Sequence, residues 1–318
     1  MLHFYRKFKQ FGGLRLVRAY YHMGLLSVAV RQFILVLFRK KSLSQADSVL
    51  RGHVSPMLRE EFFPFMRHQE KYYSTKSLSH CHSNIVWFFW MQGLEEAPDV
   101  VKACLESLKK NLADREIRVL NRSNICDYVS LPDYIITKHD KKIISHAKFS
   151  DLLRLELLIK YGGTWIDSTV YCSDAHYPRE LLDSDLFVFQ QMRKGTMAFG
   201  GLSNWFISSC TNNVILLILR DMLYEYWKRY DCDVNYFMFH LFFCMIVEYH
   251  PEEIANMPKQ NNRYPLALGS RLAEKYDAAW YEKLCSYTSF HKLTYKLSRK
   301  ALCHGTYYDV LVNGKQDE

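Results

Sequence analysis

The first 46 residues of this 318-residue chain contain no aspartate or glutamate. Ten of its 42 lysines and arginines lie in residues 1–51, against the single acid Asp47, and the rest of the chain carries 32 charges of each sign. The net charge of +9 therefore belongs to the N-terminal arm. A neutral body argues against nucleic acid as a partner, because phosphate-binding cations would recur along it. Among the nine cysteines there is no CxxC pair. Neither a zinc ribbon nor a disulfide framework is expected, and reduced thiols in a cytoplasmic setting are the reading. His80-Cys81-His82 reads as a linker feature, since adjacent residues rarely chelate one ion together. Glycine and proline are sparse, at 13 and 8. No repeat or low-complexity tract occurs, which excludes collagen-like and disordered classes. With 49% hydrophobic residues, a large core can be buried.

What the arm does contain is an apolar stretch, Ala19–Phe38, ending in Phe33-Ile34-Leu35-Val36-Leu37-Phe38. No small-residue cleavage site follows it, so it is not a signal peptide. A spanning helix is near balance. Arg31 costs about 2.5–3.5 kcal/mol at mid-bilayer, and each large apolar residue returns roughly 0.3–0.6 kcal/mol. Arg15 and Arg18 precede the stretch, while Arg39, Lys40 and Lys41 follow it. Cations on both flanks give no preferred orientation and suit a helix lying in an anionic leaflet. A single span and an ordinary core helix stay open as alternatives. Residues 1–76 are expected to form a basic helical extension that meets an anionic membrane surface through residues 1–51. Ser42–Lys76 reads as a connector of short helices punctuated by Pro56 and Pro64.

The body alternates strand and helix. Ile85–Phe89 and Trp90 make a continuous apolar run, as in a parallel strand covered on both faces. Pro98–Asn111 has a helical apolar face, and Glu116–Leu120 reads as a strand, completing a βαβ unit. Ser150 is placed to cap a helix over Asp151–Tyr161, with Gly162 as its C′ residue. Thr164–Val170 alternates as a strand, Leu186–Gln190 is another, and Met197–Ile207 reads as strand or ordered loop. Asn213–Tyr230 and Val234–Glu248 read as helices. The fold class is α/β, with a mostly parallel sheet flanked by helices and a helical later part.

Ligands of open α/β sheets bind beyond the carboxyl ends of the strands. Two strands end there in polar groups, Trp90-Met91-Gln92-Gly93 and Asp167-Ser168-Thr169. Asp167 suits Mg²⁺ or Mn²⁺, which would clamp a diphosphate. Asp151 and Arg154 share a helix face and suit sugar hydroxyls, and Trp90 suits stacking on a base or sugar. Taken singly, each has a plainer role, as helix-start carboxylate, surface ion pair, turn residue or core aromatic.

Together these residues carry a resemblance. Phe149-Ser150-Asp151-Leu152-Leu153-Arg154, then Tyr161-Gly162-Gly163-Thr164-Trp165-Ile166-Asp167-Ser168-Thr169-Val170, resembles the capsular polysaccharide synthesis family. That family is similar to glycosyltransferases with a DXD sugar-binding region. Trp90-Met91-Gln92-Gly93, Ser203-Asn204-Trp205-Phe206, Tyr236-Phe237-Met238-Phe239-His240 and Lys292-Leu293-Thr294-Tyr295-Lys296 resemble further segments, in order. The resemblance implies a GT-A-like, Rossmann-type catalytic domain over 77–318. It implies transfer of a sugar from a nucleotide-diphosphate donor, with a UDP-sugar foremost. The acceptor would be lipid-linked or an oligosaccharide of a bacterial surface polysaccharide, on the inner face of the plasma membrane, with retained configuration. It makes Asp151, Arg154 and Asp167 the catalytic set, adds Trp90, Gln92, Asn204 and Thr169 to the donor site, and assigns Asp167 and Thr169 to Mn²⁺ or Mg²⁺. Thr169 departs from the DXD pattern, removing one carboxylate. A non-catalytic membrane adaptor with a degenerate transferase fold is the rival reading.

Overall fold

Every residue of Ile85–Phe89 is apolar and buried, and this segment is the middle of the sheet's parallel part. The computed structural model describes residues 13–38, 40–193, 196–297 and 303–314. In chain order the main elements are α1 (Leu14–His22), α2 (Leu26–Leu37), α3 (Leu43–Ser74), β1 (Ile85–Phe89), α4 (Asp99–Asn111), β2 (Glu116–Leu120), α5 (Asp133–Asp140), α6 (His146–Tyr161), β3 (Gly163–Ile166), β4 (Val170–Cys172), β5 (Leu186–Arg193), β6 (Thr196–Ser209), α7 (Val214–Arg229), α8 (Met238–Val247) and β7 (Phe290–Lys292). They divide into two compact units. A helical unit takes 1–77, 131–155 and 214–251; a sheet unit takes 78–130, 156–213 and 252–318. The division falls inside α6, after Leu155.

In the sheet unit the strand order is β2-β1-β3-β6-β5. β1 pairs in parallel with both β2 and β3, while β6 runs antiparallel to β3 and β5. Four of the five strands therefore share one direction, as the mostly parallel reading expects. Gly163 opens β3 with φ +87°, and a Cβ there would lie 2.3 Å from the Ile85 carbonyl oxygen. Only glycine allows this approach of β3 to β1. The strand expected from Thr164 to Val170 is split. β3 stops at Ile166, Asp167–Thr169 turn the chain, and the Val170 N–H closes the turn on the Asp167 carbonyl at 2.9 Å. The chain then enters a separate antiparallel ladder, β4 with β7, in which Val170 faces Lys292.

In the helical unit α3 is one helix of 32 residues, with Pro56 and Pro64 inside it, where short helices were expected. Each proline removes a backbone hydrogen bond at a cost of about 3 kcal/mol. Offsetting this, Val54, Leu58, Phe62 and Met66 form a fully buried stripe at four-residue spacing. Phe62 lies 4.9 Å from the Phe242 ring of α8 and 6.1 Å from the Tyr226 ring of α7. A capping box between Ser42 and Gln45 starts the helix. The apolar stretch of the arm is broken at Met23-Gly24-Leu25 into α1 and α2. Among the described residues no helix is long and apolar enough to cross a membrane. The helix expected to begin at Asp151 begins five residues earlier, at His146. Ser150 is thus not a cap, and its carbonyl and hydroxyl accept from Arg154 at 3.2 and 3.3 Å.

Candidate functional site

Parallel pairing puts the carboxyl ends of β1 and β3 at one edge of the sheet, and the chain leaves them through Trp90 and Asp167 respectively. Asp167 is held from several sides. Its N–H donates to the Trp205 carbonyl at 2.8 Å, and its Oδ1 accepts from Trp165 Nε1 at 2.9 Å. Its Oδ2 accepts from Lys292 Nζ at 2.6 Å, and the same ammonium donates to Thr169 Oγ1 at 2.8 Å. The β4–β7 ladder sets Lys292 there, and the Leu293 N–H fastens to the Thr169 carbonyl at 2.7 Å. Three residues on, Tyr295 meets Trp90 edge to face, with centroids 5.4 Å apart. The Trp90 Nε1 is buried and has no hydrogen-bond partner among the described residues. Gln92 is exposed in the turn after β1. Asn204 is half-buried on β6, next to Trp205, whose indole donates to Asn262 Oδ1 at 3.1 Å.

This arrangement tests the expected divalent cation. Mg²⁺ and Mn²⁺ take several oxygen ligands, carboxylates foremost. The two expected ligands, Asp167 and Thr169, supply one carboxylate and one hydroxyl, and an ammonium already donates to both. A positive charge in that position repels a second cation. Among the described residues no group of three or more His, Cys, Asp and Glu is placed to hold a metal. Asp167 and Thr169 as arranged do not fit a divalent ion.

The helical unit holds the other predicted pair. Arg154 lies 3.2 Å from Asp151 Oδ1, one turn along α6, and both are buried. The Phe239 ring lies 5.8 Å from the guanidinium. Asp151 lines a small cavity with Lys148, Leu152, Leu223, Trp227, Met238 and Phe239. Lys148 donates to the Tyr236 carbonyl and lies 3.6 Å from Asp233. Burial raises the Asp233 carboxyl, Lys148 opposes that and the Asp151 charge adds to it. Burial, with Lys148 and Arg154 nearby, pushes His240 down to about 3, so its ring stays neutral near pH 7. Asp233 Oδ1 and His240 Nδ1 are buried with no hydrogen-bond partner among the described residues.

Of the residues expected at the site, Asp167 and Thr169 meet on Lys292, Trp90 meets Tyr295 three residues farther along the same segment, and Asp151 and Arg154 meet on α6. The two groups lie in different units. Sequence reasoning misses the roles of Lys292, Tyr295, Lys148, Asp233 and His240. Lys292, Tyr295 and His240 stand in segments already singled out for resemblance, which is the only signal they carry.

Comparison with known proteins gives a match of residues 32–311 to the model of a family described as capsular polysaccharide synthesis protein. No curated protein matches. Among solved structures, one described as PaToxG Glycosyltransferase is similar with a TM-score of 0.38 at 16% identity, over 74% of this chain and 96% of that one.

Proposed function

The chain belongs to the capsular polysaccharide synthesis protein family, and from that premise we propose that it is a glycosyltransferase acting on a nucleotide-diphosphate sugar. The observation that carries this reading is the sheet edge. An aromatic whose N–H has no partner among the described residues, a fixed acid and a fixed ammonium lie at the edge where open α/β sheets bind ligands. The Asp151–Arg154 pair, with Asp233 Oδ1 and His240 Nδ1 buried without a hydrogen-bond partner among the described residues of the same unit, has the chemistry to recognise sugar hydroxyls. The test is a panel of nucleotide sugars in thermal-shift and donor-hydrolysis assays. A true donor raises the melting midpoint by mass action and releases nucleoside diphosphate. Silence across the panel favours the non-catalytic adaptor.

The acceptor is lipid-linked on this reading, and α2 supports it. Val30, Phe33, Ile34, Leu37 and Phe38 are all exposed, whereas the one buried residue of α2 is Gln32, which accepts from Lys41. Large apolar side chains therefore share the exposed surface of α2 with Arg31. The surrounding arm carries no acid before Asp47. Apolar insertion plus cations suits an anionic lipid surface.

A further inference from the structure

We propose that Lys292, rather than a divalent cation, is the positive charge that receives the donor's diphosphate; the inference rests on the transferase reading above. The two oxygens that a DXD-like turn would offer a metal, Asp167 Oδ2 and Thr169 Oγ1, each accept from Lys292 Nζ, at 2.6 and 2.8 Å. An ammonium has three donors, so one N–H is left for a phosphate oxygen. Alone, the Asp167 carboxylate would repel a diphosphate. Paired with Lys292 its charge is balanced, and the approaching anion meets a donor instead.

The ammonium is also held in place before any ligand arrives. The backbone of Lys292 is fixed by the β4–β7 ladder and by the Leu293–Thr169 bond. On its other side, a Cβ at Gly269 would lie 2.4 Å from the Lys292 carbonyl oxygen, so the chain is closely packed there. A prepositioned charge needs no reorganisation during the reaction. In transfer, the bond from the sugar's anomeric carbon to the diphosphate oxygen breaks with both electrons staying on oxygen. The acceptor hydroxyl oxygen bonds that carbon, and its proton passes to the diphosphate. Lys292 keeps its own proton throughout and stabilises the charge on the departing oxygen. Trp90, brought next to Tyr295 at the same edge, adds an aromatic face and an N–H with no partner among the described residues.

The experiment is calorimetric titration of the full chain with UDP, GDP, ADP and CDP, in EDTA and then in MnCl₂. For the tightest diphosphate, affinity should differ less than about threefold between the two conditions. Lys292→Met should weaken it about tenfold or more in EDTA, as expected for a lost charge-assisted hydrogen bond, and Lys292→Arg should retain most of it. A wild-type affinity that rises about tenfold with Mn²⁺, or a folded Lys292→Met that binds normally, overturns the inference and leaves the transferase reading standing. Binding of none of the four under either condition overturns both. The metal comparison needs no variant, so it decides even where Lys292→Met does not fold.

Discussion

Arg154 and Asp151 make a buried ion pair at 3.2 Å one turn apart on α6, and Arg154 returns two further bonds to Ser150. Breaking such a pair from one side leaves an uncompensated charge, which costs about 3–5 kcal/mol. Arg154→Ala and Asp151→Ala should each destabilise on that scale. The double variant should fall short of the sum by about 1–3 kcal/mol, measured by urea unfolding, because one loss removes the reason for the other. Arg154→Lys keeps the charge and loses the planar fork. It should unfold near wild type while donor turnover drops about tenfold or more, as expected when a bidentate contact is lost. Normal turnover in Arg154→Lys would remove this pair from the site.

Asp167→Asn makes a separate test at the sheet edge. It preserves shape and the bond from Trp165, and it removes the charge that holds Lys292. With the donor identified by the nucleotide-sugar panel, kcat should fall about a hundredfold or more, the scale of losing one prepositioned electrostatic contact. The melting midpoint should shift by no more than about 3 °C, since both side chains keep about a quarter of their surface in water and a partly solvated pair contributes little to stability. Near-normal kcat would sink the assignment.

How far the sequence reveals this depends on distance along the chain. Asp151 and Arg154 are three residues apart, so their pairing follows from helix geometry alone. The Gly162-Gly163 turn and the strand ahead of Asp167 are equally local. Lys292 reaches Thr169 across 123 residues, and only the pairing of β7 with β4 brings it there. The resemblance of its segment marks the neighbourhood of Lys292, but no local pattern ties its side chain to Asp167. The helices fail differently. Ser150-Asp151 has the composition of a helix start, yet no breaker separates it from His146, and the helix extends back. Pro56 and Pro64 carry a strong local penalty, and the buried stripe from Val54 to Met66 overrides it through packing that no local pattern reports.

The exposed apolar residues of α2 predict lipid binding that mutations can erase while the chain stays folded. Phe33, Ile34 and Leu37 each keep about half of their surface exposed, so replacing all three by serine should lower the melting midpoint only modestly and leave the chain folded. Each fully inserted apolar side chain is worth about 1.5–3 kcal/mol, so the triple variant should bind vesicles at least about a hundredfold more weakly. Sedimentation with phosphatidylglycerol-containing vesicles, against pure phosphatidylcholine, checks both halves. Wild type should prefer the anionic vesicles, and added salt should weaken it, because each nearby cation contributes about 1 kcal/mol. Equal binding to both vesicle types would exclude the electrostatic half. Unchanged binding by the triple variant would exclude the apolar half.

Acid should destabilise the sheet unit through His291. The residue is fully buried on β7, its Nε2 lies 3.1 Å from Ser173 Oγ, and its Nδ1 has no partner among the described residues. Burial lowers it to about 4, although Asp174 nearby pulls the other way. A folded value below the unfolded 6.5 means that the unfolded chain binds the extra proton first. The stability contribution is therefore fully present above pH 6.5 and is lost as pH falls toward 4. Between pH 7.5 and 5 the loss amounts to about 2 kcal/mol, at 1.36 kcal/mol per unit. Urea unfolding across that range should show it. His291→Gln, which cannot take a proton, should be less stable at pH 7.5 and distinctly flatter below it. A variant whose pH profile stays parallel to wild type would mean that another group carries the acid sensitivity.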